Sequence, residues 1–207
     1  MATDTLIVET RVGPTGFQSD GVTQQYPRTS RMGAWVTTPA HGKYAEASLR
    51  GRLYCAANQA EVTYGTALTA TAVTFTLYNP IGSPVDLSLL QIGIATRTSS
   101  TAGHLLLAAN VNNTAAAPAT NTELTIRNCK LDGSAGYAKV YSATTLPAAP
   151  VAILALLSMG VTVTGEGNFV DVDGAITLGP NTAVTVQGIT VVGTGILSMV
   201  WEEVPRQ

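Results

Sequence analysis

Side chains that could support acid–base or nucleophilic catalysis are few in this chain and widely separated. There are two histidines, His41 and His104, and two cysteines, Cys55 and Cys129. Neither histidine lies in a Ser-x-x-Lys, Gly-x-Ser-x-Gly or His-Glu-x-x-His pattern, and the cysteines have neither a thiol-protease signature nor zinc-ligand spacing. We therefore interpret the histidines as surface residues and predict that the protein is not an enzyme. The cysteines are interpreted as free, mostly buried thiols, with a single disulfide as the alternative.

Three short glycine-containing motifs could in principle bind an ion or a phosphate. Asp171-Val172-Asp173-Gly174 is like the opening of a calcium loop, but the third ligand position and the distal glutamate are missing. We favour an Asp-Gly β-hairpin turn there over a weak cation site completed by Glu166. The motifs at 165–167 and 193–195 lack the Lys-Ser/Thr of a P-loop, so we predict turns or bulges. No cofactor and no metal are predicted.

The aromatic residues give one candidate sugar-binding platform and one candidate anchor. Tyr137 and Tyr141 flank Lys139 on one face of a predicted strand, where cross-strand packing is favoured over a platform. Trp201 follows Leu197 and Met199 at a spacing of two, which is typical of a core or interface anchor.

Composition favours strands and limits the class of partner. The chain has 207 residues, of which 30 are Thr, 28 Ala, 20 Val and 20 Gly, and only 12% are charged, against about 25% in an average soluble domain. With 11 basic and 13 acidic residues it lacks the excess of Lys and Arg that nucleic-acid binding requires. So little charge suggests that much of the surface is covered by protein partners.

No segment predicts secretion or membrane insertion. The first residues, Met1 to Leu6, have neither a basic region nor an apolar core, so we expect no signal peptide and synthesis in the cytoplasm. The most apolar stretch, Val151 to Met159, is nine residues long, against the roughly 20 that a membrane-spanning helix needs.

Two regions differ in character and predict a division of the chain near residue 45. Residues 1–45 contain many Gly and Pro turn positions and little apolar sequence, so they cannot form a core alone. They are either a solvated, partly disordered terminus or an extended arm that orders on a partner. In the second case the candidate partner-binding residues are Arg11, Arg28, Arg31 and Trp35.

Residues 46–207 are predicted to form an all-β domain. Strands are expected at 69–77, 85–98, 104–111, 122–131, 137–145, 175–178, 182–192 and 196–204, and residues 151–159 fit either a strand or a short buried helix. Eight to ten antiparallel strands in about 160 residues favour a two-sheet sandwich of jelly-roll type over a barrel.

Three stretches of this sequence resemble structural proteins of tailed bacteriophages, among them head decoration or cement proteins. They are the residues from Gly51 to Ala60, Thr74 to Ser83 and Ile196 to Glu203. The resemblance implies a virion protein on the capsid exterior, associated as a homotrimer or another closed ring, with the major capsid protein as its partner. It transfers no functional residue. A tail-associated receptor- or carbohydrate-binding module is the alternative.

Overall fold

The computed structural model describes residues 43–71, 73–99, 101–111, 117–119, 122–161, 164–191 and 193–206. The chain divides into two units, Met1–Lys43 and Tyr44–Gln207. The predicted arm, residues 1–45, therefore lies almost entirely outside the described residues, and so do Arg11, Arg28, Arg31 and Trp35.

The second unit is built almost wholly of strands, preceded by one short helix. The helix α1 spans Ala45–Leu49. The strands are β1 (Leu53–Ala57), β2 (Val62–Thr63), β3 (Phe75–Asn79), β4 (Val85–Ser99), β5 (Gly103–Val111), β6 (Thr122–Glu123), β7 (Arg127–Asn128), β8 (Lys139–Ser142), β9 (Val151–Met159), β10 (Thr164–Leu178), β11 (Thr182–Ile189) and β12 (Gly193–Pro205).

These strands form two antiparallel sheets, so the predicted all-β sandwich is confirmed. The first sheet has the order β10-β4-β12-β1-β7, with β2 paired to β12, and the second has the order β6-β8-β3-β11-β5-β9. Eight of the strands form two four-stranded sheets, β10-β4-β12-β1 and β9-β5-β11-β3, which is the strand order of a jelly roll. The small strands β6, β7 and β8 extend the sheets at one side only.

The core lies between the inner faces of the two sheets. Along β12, Leu197, Met199 and Trp201 are fully buried, which confirms the predicted anchor. The Trp201 ring stacks on Tyr54 of β1, with centroids 6.3 Å apart. Burial of this alternating set on both sheets supplies the main hydrophobic stabilisation of the fold.

A second, smaller apolar cluster covers the outer face of the second sheet. It consists of Val73, Tyr78, Tyr141, Leu146 and Ala183. Because β3 is covered on both faces, Thr74 and Thr76 are buried together with Phe75 and Leu77.

The predicted hairpin at Asp171-Val172-Asp173-Gly174 is wrong. β10 runs through this motif as one strand, and the register against β4 passes from Asp171↔Gln91 directly to Ile176↔Leu89. Asp173 and Gly174 have φ angles of 53° and 80°, so they form a bulge that inserts extra residues into an otherwise paired strand. An Asp-Gly pair supplies the left-handed backbone that either a bulge or a hairpin turn needs, and local sequence does not separate the two.

Three other strand predictions fail at their boundaries. The strand predicted at 69–77 starts at Phe75. The backbone N–H of Thr69 donates to Gln187 Oε1 at 2.9 Å, and the carbonyl of Thr69 accepts from Gln187 Nε2 at 3.0 Å, so Thr69 pairs with this side chain and not with a neighbouring strand. The segment 122–131 is two strands of two residues each, since it crosses from one sheet to the other. The strand predicted at 137–145 is limited to Lys139–Ser142.

Other predictions of this kind are confirmed. The strands expected at 85–98 and 104–111 are β4 and β5. Val151–Met159 is a strand and not a helix. The motif at 193–195 lies at a register shift between Thr194 and Gly195 of β12, as expected of a bulge.

Candidate interaction surfaces

The two sides of the sandwich end in very different edges. We call the side formed by β6 and β7 the short-edged flank, and the side formed by β9 and β10 the long-edged flank. The edge strands have two residues each on the short-edged flank, and nine and fifteen residues on the long-edged flank. Exposed strand edges carry unpaired backbone groups that can accept another strand, so the long-edged flank is the stronger candidate interface.

On the short-edged flank, a buried carboxylate accepts hydrogen bonds from the loop before β8. Glu203 is the last inward-facing residue of β12 and is 4% exposed. Its Oε1 accepts the backbone N–H groups of Tyr137 at 2.8 Å and Ala138 at 3.0 Å, and its Oε2 accepts that of Tyr137 at 3.0 Å. The carboxylate therefore holds the loop before β8 against the sandwich.

A shallow groove of about 420 Å³ lies at the opening of the same flank. It runs between residues 123–126 and 135–139, with the partly buried Leu124 and Ile126 in its lining. At one end Lys139 Nζ pairs with Glu123 Oε1 at 2.7 Å. The groove combines apolar side chains with polar groups, among them two opposite charges.

The two cysteines also lie at this flank, and both are free and half-buried. The backbone N–H of Cys129 donates to the carbonyl of Leu53 at 2.8 Å, which extends the β1–β7 pairing by one residue. Burial raises the pKa of the Cys129 thiol to about 12, and the adjacent Cys55 thiol adds to the shift. Such a thiol stays protonated near neutral pH and is a poor nucleophile. The thiols are free, as interpreted, but they are half-buried and not mostly buried.

On the long-edged flank, apolar side chains face solvent. Val151 and Phe169 are 69% and 72% exposed, and Ile153 and Val161 are also exposed. The sequence of β9 has no charged residue and no proline, the features that usually protect an edge strand. Two register shifts against β5 bend β9, whereas β10 pairs continuously with β4 from Glu166 to Asp171. Among the strands that the structure describes, the regular edge without a neighbouring strand is therefore that of β10.

The charge on this flank has one sign. β10 contains Glu166, Asp171 and Asp173 and no basic residue, and β9 contains no charge at all. The whole sequence from Val140 to Pro205 has no Lys or Arg. Asp171 accepts a 2.9 Å hydrogen bond from Gln91, and Asp173 accepts one from the hydroxyl of Tyr44. The flank is therefore an acidic edge with an apolar centre.

The candidate chemical groups are not assembled into a catalytic or metal site in the described part of the chain. His104 Nδ1 lies 2.9 Å from Ser158 Oγ, as an exposed cross-strand pair between β5 and β9. Among the described residues, no group of three His, Cys, Asp or Glu side chains could hold a metal ion. Tyr141 stacks on Tyr78 with centroids 6.4 Å apart while Tyr137 is exposed, so the two tyrosines do not form a sugar platform.

Sequence reasoning missed Phe169 and Glu203, although the sequence carried a signal for both. Glu203 continues the spacing of two set by Leu197, Met199 and Trp201, which puts it on the inward face. Phe169 alternates with Val170 and Val172. That pattern puts the aromatic side chain on the outer face of its strand, and the strand order adds that this strand is at the edge of its sheet.

Comparison with protein-family models, with curated proteins and with solved structures gives no match to this chain. No helix in the described ranges has the length and hydropathy needed to cross a bilayer.

Proposed function

We propose that this protein is a structural virion protein that decorates the outside of a bacteriophage capsid and stabilises the head. It acts as a homo-oligomer, with three copies as the expected number, and its partner is the major capsid protein. The N-terminal segment, with Arg11, Arg28, Arg31 and Trp35, is proposed to contact the capsid. The observation that carries the proposal is the long-edged flank. Its strand β10 is the last of its sheet among the described residues, and its exposed apolar side chains fit a protein that functions between other subunits.

Two further observations support this proposal. The jelly roll is a recurrent fold of viral capsid proteins, although a fold alone does not define a function. Only 12% of the residues are charged, which suits a chain that contacts several neighbours. Many weak contacts of this kind become effectively irreversible when a lattice presents them together.

We also propose that the protein has no enzymatic activity of its own. The exposed pair of His104 and Ser158 is the nearest approach to a nucleophile and base among the described residues, and it is a cross-strand contact on an open sheet surface. Nucleophilic catalysis requires, in addition, a group that orients the base and donors that stabilise an oxyanion.

The proposal is tested by locating labelled protein on phage particles. Full-length chain carrying a gold label is added to heads that lack the protein and to complete particles, which are then viewed in negative stain. We expect label at symmetric positions on the head, and a higher temperature of head disruption. Label only on the tail, or no binding to either particle, would contradict the proposal.

The groove on the short-edged flank supports a second candidate, a tail-associated carbohydrate- or receptor-binding module. The exposed Tyr137 lies beside the groove residues Gly136 and Ala138, and the ion pair of Glu123 and Lys139 supplies polar groups. Small-molecule sites usually combine aromatic side chains with a few hydrogen-bonding groups, and this arrangement suits a sugar. A glycan array probed with the wild type and with Tyr137→Ala tests this candidate. Glycan binding that the substitution abolishes would favour it.

A further inference from the structure

We propose that Cys55 and Cys129 close into a reversible disulfide bond when the protein leaves a reducing compartment, and that this bond ties β7 to β1. Both thiols are free and half-buried in this structure. They are the two cysteines of the sequence, so one pairing within a chain is possible. The inference is independent of capsid decoration, because it concerns the chain itself and not what the chain binds.

The pairing of β1 with β7 brings the two thiols together. Cys55 lies opposite Arg127 in this antiparallel pair, and the backbone N–H of Cys129 donates to the carbonyl of Leu53 at 2.8 Å. Residues opposite each other, and residues two apart along a strand, share one face of a sheet. Cys55 and Cys129 are therefore diagonal neighbours on one face, and it is the outer face because Tyr54 packs into the core. The two cysteine side chains are hydrogen-bonding partners.

The separation of a diagonal pair is slightly larger than a disulfide allows. The Cα atoms of diagonal neighbours lie about 7–8 Å apart, whereas those of a disulfide lie about 4.4–6.8 Å apart. Closing the bond therefore requires β7 to move toward β1 by about 1 Å. Because β7 has two residues and is the last strand of its sheet among the described residues, this movement disturbs few backbone hydrogen bonds. A bond closed with such strain is more easily reduced than a typical structural disulfide, so we expect it to be reversible.

The position of the pair makes it accessible to small oxidants. Both side chains are on the outer face of the sheet and neither is fully buried. Thiols in a cytoplasm are kept reduced by glutathione and thioredoxin, whereas disulfides persist outside the cell. We therefore expect the bond to be open during synthesis and closed after release.

The oxidant is a small disulfide, written RS–SR, such as oxidised glutathione. Burial raises the pKa of the Cys129 thiol to about 12, so we assign the first attack to Cys55. Cys55 gives up its proton, its sulfur bonds to one sulfur of RS–SR, and the other half takes a proton and leaves as RSH. Cys129 then gives up its proton and attacks the Cys55 sulfur, which forms the Cys55–Cys129 bond and releases the second RSH. Two electrons and two protons pass from the protein to the oxidant.

The closed bond is expected to stabilise the fold at the short-edged flank. It encloses more than 70 residues of the chain, and a cross-link across a long loop lowers the conformational entropy of the unfolded state. Strain in the folded state offsets part of this gain. We expect the oxidised protein to melt about 4–8 °C above the reduced protein.

Oxidation of the reduced full-length protein by oxidised glutathione at pH 8 tests the pairing. After acid quenching and alkylation of the remaining thiols, mass spectrometry of the intact chain and of its peptides identifies the products. We expect a single chain lighter by two hydrogen atoms and a peptide pair joined through Cys55 and Cys129. An excess of reduced glutathione should restore both thiols. The melting temperature is measured on the same samples.

A matched variant keeps two thiols but moves one of them off the diagonal. It combines Cys129→Ser with Lys130→Cys, at an exposed position one residue farther along the chain. This variant should form at least tenfold less intramolecular disulfide in the same time. Two single variants test the order of attack. Cys129→Ser should stop at a glutathione adduct of Cys55, and Cys55→Ser should form its adduct more slowly.

Three results would overturn the inference. The first is a wild type that keeps both thiols or carries only glutathione adducts. The second is a disulfide that joins two chains, or one that forms equally fast in the displaced variant. The third is an oxidised protein that melts no higher than the reduced protein, which would show that the bond does not tie β7 to β1. Since no particle is present, these results are independent of whether the protein binds capsids.

Discussion

The two flanks of this sandwich are built from the same kind of strand but end differently. The short-edged flank stops at two-residue strands, with Glu203 bonded to the backbone of Tyr137 and Ala138. On the long-edged flank, β10 is the last strand of its sheet among the described residues, and Phe169 is 72% exposed. Among the described residues, the chain itself covers the end of the first flank and leaves the apolar side chains of the second exposed, which is why we propose the second as the interface.

The largest effect is expected from a charge on the long-edged flank. Ile153→Lys should abolish self-association and leave the melting temperature within about 2 °C of the wild type, because a lysine is costly in the desolvated centre of an interface but harmless on a free surface. The matched control is Leu131→Lys at a side chain that is 93% exposed on the other side of the domain.

Size-exclusion chromatography with light scattering measures the result. We expect oligomers from the wild type and the control, and a 21.4 kDa monomer from Ile153→Lys. A wild-type monomer at micromolar concentration, or equal association of all three proteins, would contradict the assignment of this flank as an interface.

The next largest effect should fall on folding stability at the short-edged flank. Glu203→Gln keeps one acceptor oxygen for the N–H groups of Tyr137 and Ala138. It replaces the other oxygen, 3.0 Å from the Tyr137 nitrogen, by an N–H₂ group that cannot accept, and it removes the negative charge, so we expect a loss of about 2 kcal/mol. Glu202→Gln is the control, since Glu202 forms only a partly exposed 3.6 Å ion pair with Arg52, worth about 0–1 kcal/mol. Urea unfolding checks both values, and equal losses would refute the anchoring role of Glu203.

A smaller effect is expected at the bulge of β10. Gly174 has a φ of 80° and lies where an added Cβ would come 2.8 Å from Ser88 Oγ, so Gly174→Ala should cost about 1–2 kcal/mol. Gly167→Ala in the same strand should change stability by no more than about 0.5 kcal/mol, because its Cβ would meet only the Ile94 carbonyl at 3.8 Å. Differential scanning calorimetry distinguishes them, and a tolerated Gly174→Ala would show that the bulge does not need this conformation.

The smallest effect concerns pH and the thiol of Cys129. Its pKa is raised from 9.0 to about 12 in the folded chain, so above pH 9 the unfolded chain loses this proton while the folded chain keeps it. Stability should therefore fall as pH rises from 9 to 10, before Tyr64, Tyr78 and Tyr141 contribute, since burial raises their pKa values above 10.0.

Urea unfolding at pH 8, 9 and 10 measures this slope. Cys129→Ser should reduce it, whereas Cys55→Ser should retain most of it, because burial is the larger cause of the shift. An unchanged slope in Cys129→Ser would show that this thiol does not cause the loss of stability at alkaline pH.

The sequence predicted the fold class and the longest strands because alternation over many residues is a strong signal. β4 and β5 match their predicted ranges to within two residues, and Trp201 is the buried anchor that its spacing implied. Non-local interactions explain the failures. The end of the strand predicted at 69–77 is set by Gln187, more than 100 residues away, and no local pattern at Thr69 encodes that contact.

The candidate interface could be predicted only in part. The low fraction of charged residues indicated that part of the protein surface is covered by partners. It did not indicate which part, because the strand order decides which strands lie at the edges of the sheets. β10 is as regular in sequence as β4, and only the topology places one at the margin of the sheet and the other inside it. Predicted partner contacts at Arg11, Arg28, Arg31 and Trp35 remain predictions.

Amide hydrogen exchange of the full-length wild type and of the Ile153→Lys variant, both without particles, tests the central claim most directly. The account predicts that exchange in β9 and β10 is at least tenfold slower in the associated wild type than in the monomeric variant, while residues 122–142 on the short-edged flank exchange at the same rate in both proteins. Protection confined to residues 122–142, with β9 and β10 unchanged, would contradict the assignment of the long-edged flank as the surface that meets other subunits.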